Sequence, residues 1–347
     1  MYRLGFVKQV KNATIIACAV LALSVTHIGQ SESKSRKAPP TAAELSAMGL
    51  IEKTLQVNGT KRWFLVQPPR DPSKASAILL VLHGGTQSMR RLFADNAGAT
   101  RGWPDLARRE NALLLAPNAI NSETGDAGSD DQNWNDLREG VNRDSNANDV
   151  GFITSLLDWA EQNYNVDQSR IYVTGASNGG MMTFRLLIDA PERFTAGAAF
   201  VASLPVESSK LKLPTKPTPL MIANGTLDPL VQWEGGKIAG GRGEMRSVND
   251  TIQWWLNANK AEAIPSETPT LRDLDPDDNC TIQTQTYTAK PSGAPIVTYS
   301  MIGGGHSIPS AQYDIPDSWL IRRFIGPVCS DAEGIELIWS FLSAYKR

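Results

Sequence analysis

Four short apolar segments, each ending at a turn residue, constrain the fold of this chain more than any other feature of its sequence. They span residues 77–82, 112–116, 170–174 and 219–223, and they stop at His83, Pro117, Gly175 and Asn224. Apolar strands without polar alternation are typical of a sheet that is buried on both faces. Helical patterns lie between them at 149–164, with Asp149 as the expected N-cap, and at 178–188. This alternation predicts an α/β fold with a mostly parallel sheet and helices on both faces.

Composition and charge exclude few functions, but they indicate how the chain is divided into domains and linkers. Hydrophobic residues make up 41% and charged residues 20% of 347, which is ordinary for a globular protein. The net charge of −2 indicates neither a nucleic-acid partner nor an anionic membrane surface. Residues 46–347 show no internal repeat, so we expect one domain there. The polar, proline-containing stretch 31–45 is the predicted linker before it.

Residues 1–30 have the pattern of an export signal. Arg3, Lys8 and Lys11 precede an apolar run at 13–25 that is short for a membrane span. We predict a signal peptide and a secreted protein, extracellular or periplasmic. Two alternatives stay open, namely an uncleaved anchor and a lipoprotein leader with a lipidated Cys18. No stable membrane partner is expected unless Cys18 carries a lipid.

Two cysteines, Cys280 and Cys329, remain after removal of the expected leader. An even number of cysteines in an exported protein predicts one disulfide, and two separate buried thiols are the alternative. No histidine and cysteine cluster has the spacing of a zinc site, and no phosphate-loop motif is present. The sequence therefore predicts no metal site.

Residues 175–179 read Gly-Ala-Ser-Asn-Gly and match the G-x-S-x-G pattern of a nucleophilic serine. The motif follows a β-branched run at 171–174 and precedes a helical run, which is the strand–turn–helix setting that it requires. Such a turn lifts the serine hydroxyl above the sheet, and the new helix directs its positive end toward an oxyanion. We therefore predict Ser177 as the nucleophile, against the alternative of a glycine-rich turn with a bystander serine.

The general base follows by elimination among three histidines. His27 lies in the expected leader and His83 precedes Ser177. Because α/β-hydrolases carry nucleophile, acid and histidine in that order, His306 is the predicted base. Asp228 follows the strand at 219–223 across a turn and is the predicted acid. Other aspartates that fit the order are Asp250, Asp273, Asp275, Asp277 and Asp278, of which the last four lie in a polar loop with no preceding strand.

An oxyanion hole needs two backbone N–H donors. Asn178 is expected to supply one, and the loop after residues 77–82 the other, from Gly85 or Thr86. His83 is expected to support this loop. Two tryptophans in polar segments, Trp134 and Trp233, are candidates for lining a substrate cleft, with packing of their loops as the alternative. The helical pair at 254–255 is expected in the core.

These residues together resemble the secreted polyhydroxybutyrate depolymerase and feruloyl esterase family. The matching stretches are residues 82–85, 148–153, 173–182, 224–229, 234–236 and 303–306, in the order of the family and over about residues 55 to 310. The resemblance implies an α/β-hydrolase fold, a triad of Ser177, Asp228 and His306, and neither a metal nor an organic cofactor.

The chain departs from this family at two places near the predicted triad. After the histidine the family often has Thr-Trp-Pro-Gly, whereas residues 307–310 read Ser-Ile-Pro-Ser. The turn before the acid has Asn224 where histidine is common, and no appended polymer-binding module is visible. Substrate preference is therefore the weakest part of the resemblance.

The sequence predicts a secreted serine ester hydrolase whose partner is a small or oligomeric ester, either a hydroxyalkanoate oligomer or a feruloyl or other carbohydrate ester. Two alternatives use the same triad, an acyltransferase and a peptidase. A third is a non-catalytic binding protein on this fold.

Overall fold

The computed structural model describes residues 38–141, 145–238, 240–313, 315 and 319–347. Residues 39–347 form one compact unit. The predicted signal peptide, Cys18 and most of the predicted linker lie outside the described residues. In the described part of the chain, no helix is both long enough and apolar enough to cross a membrane.

A nine-stranded sheet with the order β1-β2-β4-β3-β5-β6-β7-β11-β10 forms the centre of this unit. Its strands are β1 (Ile51–Val57), β2 (Thr60–Gln67), β3 (Ser76–Leu82), β4 (Leu113–Pro117), β5 (Val166–Ala176), β6 (Ala196–Phe200), β7 (Leu220–Gly225), β10 (Thr281–Tyr287) and β11 (Ile296–Ile302). Neighbours from β4 to β11 run parallel, whereas β1, β2 and β10 are antiparallel to the strands beside them. A separate hairpin pairs β8 (Gly236–Lys237) with β9 (Glu244–Met245). The predicted mostly parallel sheet is confirmed.

Helices cover both faces of the sheet, as predicted. They are α1 (Ala42–Ala47), α2 (Trp103–Arg109), α3 (Asp149–Asn163), α4 (Asn178–Asp189), α5 (Val248–Ala258), α6 (Trp319–Ile325) and α7 (Gly334–Ser343). Alternate residues of β3 belong to different cores. Ile78 and Leu80 pack in a first cluster with α3, α4 and α5, and Leu79 packs in a second cluster with α2 and α7. Because β3 is buried on both faces, its sequence is apolar from residue 77 to residue 82.

Two local predictions are corrected by the structure. Helix α1 begins inside the stretch predicted as a linker, because Thr41 and Glu44 form a reciprocal capping box and Leu45 is buried. The N-cap of α3 is Asn148, whose side chain accepts from Gly151 N–H at 2.9 Å. Asp149, the predicted cap, is instead the first helical residue and is fully buried.

The strand order opens a crevice where the predicted site residues follow their strands. Strand β3 lies between β4 and β5. The connection from β3 to β4 therefore runs to one side of β3, and the connection from β4 to β5 crosses to its other side. Ligands of open parallel sheets bind at the carboxyl ends of the strands beside such a reversal. Residues 83–86 follow β3, Ser177 follows β5, Asp228 follows β7 and His306 follows β11. The fold therefore places all four segments along one edge of the sheet.

Candidate active site

Ser177 occupies the sharp turn between β5 and α4. Its backbone has a φ of 56° and a ψ of −125°, and its N–H donates to Phe200 O at 2.9 Å. A Cβ atom on Gly179 would lie 2.4 Å from Leu82 O, so only glycine allows α4 to begin against the end of β3. A Cβ atom on Gly175 would lie 2.5 Å from the Gly179 carbonyl carbon. The two glycines of the pentapeptide are thus required by close packing around Ser177.

Asp228 and His306 form a hydrogen-bonded pair. His306 Nδ1 donates to Asp228 Oδ2 at 2.6 Å. The other carboxylate oxygen, Asp228 Oδ1, accepts from Leu230 N–H at 2.8 Å and from Val231 N–H at 2.9 Å. The Asp228 side chain is fully buried, and that of His306 is 9% exposed. The carboxylate is therefore fixed by its own loop, with one oxygen directed at the imidazole, and this arrangement leaves His306 Nε2 for proton transfer.

Backbone hydrogen bonds on two sides hold the loop that carries His306. Leu227 N–H donates to Gly304 O at 2.9 Å, which joins this loop to the loop of Asp228. On the other side, His306 N–H donates to Ile325 O at 2.5 Å and Gly305 N–H donates to Pro327 O at 2.8 Å. A Cβ atom on Gly305 would lie 2.1 Å from Ile325 O, so this approach requires glycine.

Ser177 and His306 follow strands at the same sheet edge, but no hydrogen bond joins their side chains among the described residues. Catalytic hydrogen bonds are often long in substrate-free enzymes and tighten when substrate binds. The structure thus brings together the predicted acid and base, and the contact between the predicted base and nucleophile stays a prediction.

Gly85 and Asn178, two of the predicted oxyanion donors, lie side by side. A Cβ atom on Gly85 would be 3.4 Å from Asn178 Cβ. Asn178 is the first residue of α4, where the N–H has no carbonyl one turn earlier in the helix. Thr86, the alternative to Gly85, is corrected by the structure because its N–H already donates to Gln132 O at 2.8 Å and to Asn133 Oδ1 at 3.2 Å.

His83 holds the loop of Gly85 in place through hydrogen bonds from its side chain to the backbone. Its side chain is fully buried, Nδ1 donates to Gly84 O at 2.8 Å, and Nε2 accepts from Ala119 N–H at 3.1 Å. Burial lowers the pKa of His83 to about 4, so the imidazole is neutral near pH 7. A neutral ring has one donor and one acceptor, and both are used by the backbone.

Trp134 packs against this support and does not line a cleft. It is 2% exposed, its Nε1–H donates to His83 O at 2.9 Å, and its ring centroid lies 4.8 Å from that of His83. The alternative of loop packing therefore holds for Trp134. Trp233 is half-buried against the first core cluster, on the loop that begins at Asp228. Its contact with substrate stays a prediction.

A buried polar network behind Asn178 was missed from the sequence. Asn178 Oδ1 accepts from Trp134 N–H at 2.8 Å, and Asn178 Nδ2 donates to Asp136 Oδ2 at 2.6 Å. Further inside, Arg62 Nη2 donates to Asp149 Oδ1 at 2.6 Å, and Asn135 N–H donates to Asp149 Oδ2 at 2.8 Å. No local signal in the sequence identifies this network, because Arg62 and Asp149 are 87 residues apart in the chain.

The predicted disulfide between Cys280 and Cys329 is confirmed, with a Cα–Cα distance of 5.4 Å. In the described part of the chain, Cys280, Cys329 and Asp331 form the one group with metal-ligand atoms close enough together to hold an ion. Because the two sulfurs are bonded to each other, this group offers no thiolate ligand.

Comparison with known proteins agrees with the fold. A model of the prolyl oligopeptidase family matches residues 127–216, a range that contains Ser177 but neither Asp228 nor His306. The solved structure of an acetyl xylan esterase from Aspergillus awamori aligns with a TM-score of 0.50 and 16% identity, over 79% of this chain and 98% of that chain. Together with the sheet topology, these likenesses show an α/β-hydrolase fold.

Curated relatives of this chain are ester hydrolases. It is 36% identical over 140 residues to a poly(3-hydroxybutyrate) depolymerase of Ralstonia pickettii, which is 40% of this chain and 27% of that protein. It is 25% identical over 183 residues to feruloyl esterase C of Emericella nidulans, which is 52% of this chain and 59% of that protein. The chain thus spans less than two thirds of either relative. The similarity to both kinds of esterase that the motifs predicted is confirmed.

Proposed function

We propose that this chain is a secreted serine ester hydrolase that acts through Ser177, Asp228 and His306. The observation that carries the proposal is the 2.6 Å hydrogen bond between His306 Nδ1 and Asp228 Oδ2, at the sheet edge where Ser177 follows β5. Relatives named as ester hydrolases support the reaction class. The basic and apolar pattern of residues 1–30 and the disulfide support secretion.

In the first half of the reaction, Ser177 Oγ attacks the ester carbonyl carbon while His306 Nε2 takes the hydroxyl proton. The carbonyl oxygen becomes an oxyanion and accepts hydrogen bonds from the N–H groups of Asn178 and Gly85. The tetrahedral intermediate then expels the alcohol, which leaves with the proton from His306. Asp228 holds the imidazole tautomer and stabilises the imidazolium that forms.

In the second half, His306 takes a proton from water, which attacks the acyl-enzyme carbonyl. A second oxyanion forms in the same place, and its collapse releases the carboxylic acid and returns the proton to Ser177 Oγ. Each step uses groups of this chain, water and the ester alone. The pre-formed position of Asp228 matters because it needs no rearrangement as charge develops.

The substrates that we propose are esters of hydroxyalkanoates or of feruloylated and other acylated carbohydrates. The segment after His306 differs from the family pattern here. Ile308 packs against Gly334 at the start of α7, and Ser310 Oγ donates to Glu333 Oε2 at 2.7 Å. An isoleucine packed toward α7 does not supply the aromatic surface that a tryptophan beside the base would supply, so we expect the acyl or alcohol pocket to differ from that of the family.

A peptidase is the second candidate, because the prolyl oligopeptidase family model matches residues 127–216 around Ser177. Peptide p-nitroanilides discriminate the two candidates. We expect the enzyme to hydrolyse p-nitrophenyl esters but not peptide p-nitroanilides. Efficient cleavage of the anilides would favour a peptidase over an esterase.

The proposal is tested with p-nitrophenyl acetate and butyrate. Ser177→Ala removes the attacking oxygen, so hydrolysis should fall to the background rate, while Ser88→Ala serves as a matched control at a serine that bonds Asp130. Asp228→Asn should lower kcat by a factor on the order of 10³–10⁴, because the asparagine no longer holds the His306 imidazole in the required tautomer. As its control, Asp277→Asn changes an aspartate in an exposed loop and should leave kcat unchanged. Activity that survives Ser177→Ala would overturn the assignment.

A further inference from the structure

An open cleft of about 810 Å³ lies between the β8–β9 hairpin and α5. Its walls are Val206, residues 234–236, residues 244–247, and Asp250, Gln253 and Trp254 of α5. The predicted motif at 234–236 is therefore part of a concave surface, and the triad does not account for it.

The cleft is built on the loops that follow β6 and β7. Val206 N–H donates to Glu244 O at 3.0 Å, and Arg246 N–H donates to Leu204 O at 2.8 Å, so the hairpin is attached to the loop after β6. The opposite wall, residues 234–236, continues the loop that begins with Asp228. Because β6 lies next to β5, the cleft belongs to the same sheet edge as Ser177.

Trp254 supplies a fixed aromatic wall. Its ring is half-buried and lies edge to face against Trp255, with centroids 5.0 Å apart and planes at 85°. Trp255 itself is fully buried. The sequence predicted both tryptophans in the core, and Trp254 packs against the first core cluster while also lining the cleft. An aromatic face held in this way packs against the C–H face of a ring at little entropic cost.

The polar lining of the cleft consists mainly of hydrogen-bond acceptors. Three carboxylates, from Glu234, Glu244 and Asp250, stand against one guanidinium, from Arg246, and Asp250 Oδ2 already accepts from Ser247 Oγ at 2.7 Å. That guanidinium already donates through Nε to Pro205 O at 3.0 Å. Carboxylates accept hydrogen bonds and repel anions. They therefore suit a neutral ligand with many hydroxyl donors.

The two substrate classes of the proposed function differ in the number of hydrogen-bond donors that they offer to these carboxylates. A hydroxyalkanoate oligomer carries ester carbonyls along its chain, which accept and do not donate, and it ends in a carboxylate that the cleft repels. A neutral oligosaccharide presents hydroxyl donors to the carboxylates and an apolar ring face to Trp254. Of the two substrate classes, only the oligosaccharide complements both the carboxylates and the Trp254 ring.

Resting on the proposed function, we propose that this cleft binds the alcohol part of the ester, and that this part is a neutral oligosaccharide chain packed on Trp254. The enzyme then acts on acylated carbohydrates, with the sugar chain lying between α5 and the β8–β9 hairpin and the ester bond directed toward Ser177.

Binding of an unesterified xylo-oligosaccharide to the full chain tests this directly. Titration calorimetry should give the same Kd for the wild type and Ser177→Ala, because the cleft lies apart from the serine hydroxyl. Trp254→Ala should raise this Kd by on the order of tenfold, and Trp254→Phe by less, since a smaller ring remains. Glu244→Gln should also weaken binding.

Trp159→Ala is the matched control, because Trp159 is likewise half-buried on a helix and packs against the same core cluster. It should leave the Kd unchanged. The proposal is overturned if the oligosaccharide does not bind, or if Trp159→Ala weakens binding as much as Trp254→Ala. Loss of Ser177-dependent acetate hydrolysis would instead contradict the proposed function, so the two failures are distinguishable.

Discussion

His83 and His306 lie near the same sheet edge but differ in burial and in hydrogen-bond partners. Both ring nitrogens of His83 bond to backbone atoms, whereas His306 bonds through Nδ1 to a carboxylate. A neutral, fully bonded imidazole is suited to hold a loop, and an imidazole oriented by a carboxylate is suited to exchange protons. The proposed mechanism depends on this difference, because Gly85 is positioned by one histidine and Ser177 is activated by the other.

The burial of His83 predicts a pH-dependent stability. The unfolded chain binds a proton at His83 near pH 6.5, but the folded chain does so only near pH 4. The unfolded state therefore binds more protons between these values, and the free energy of unfolding falls as the pH falls from 6.5 to 4. The loss from this residue is on the order of 3 kcal/mol.

Urea unfolding at pH 7, 5 and 4 measures this effect. His83→Gln keeps a polar side chain without the titration, so it should be less stable than the wild type at pH 7 and lose less stability toward pH 4. Parallel pH profiles for the wild type and His83→Gln would show that His83 does not titrate as inferred.

Chain order restricts the choice of triad residues, whereas no local feature of the sequence identifies a buried partner from a distant segment. Ser177, Asp228 and His306 follow from one motif, three histidines and the order of an α/β-hydrolase. Asp149 was predicted as a cap, because nothing local indicates that Arg62, on β2, reaches it. Long-range buried pairs depend on strand register, which a single sequence does not specify.

At the scale of elements, the segment after α6 connects the disulfide to the loop of His306. Cys329 is bonded to Cys280, which precedes β10, and Pro327 O and Ile325 O accept from Gly305 and His306. The disulfide closes a separation of 49 residues. Constraining such a loop restricts the unfolded chain, and here it also restrains the backbone beside the proposed base.

We therefore expect the double variant Cys280→Ser with Cys329→Ser to lose about 4 kcal/mol of stability and to lower kcat more than it changes KM. Thermal unfolding and p-nitrophenyl butyrate kinetics, each with and without dithiothreitol, measure both effects. The reductant should affect the wild type and leave the double variant unchanged. An equally stable and equally active double variant would contradict a role for this bridge in holding the His306 loop.

Strands of the sheet were predicted where burial on both faces gave a run of large apolar side chains. This is the case for β3, β4, β5 and β7. Strand β6 is fully buried but consists of alanine, glycine and one phenylalanine, and alanine and glycine do not favour strands, whereas β1 and β10 lie at the edges with mixed burial. Helix α1 was missed, although Thr41 and Glu44 have the spacing of a capping box.

At the scale of the whole molecule, the sheet edge brings together two regions with different tasks. The ends of β3, β5, β7 and β11 carry the groups that we propose for bond cleavage, and the loops after β6 and β7 carry the acidic cleft with Trp254. The net charge of −2 gives no indication of that cleft, because its carboxylates are balanced by basic residues elsewhere. Composition alone therefore could not predict the substrate, and the cleft required the folded chain.

We propose that Ser177 forms a covalent acyl-enzyme, and the site of reaction with a fluorophosphonate ester tests this proposal. Mass spectrometry of the full chain after labelling should show a single adduct, and peptide mapping should place it on Ser177. Asp228→Asn should label far more slowly, because His306 then loses the carboxylate that orients it. An unlabelled wild-type protein, or an adduct on any other residue, would contradict the account.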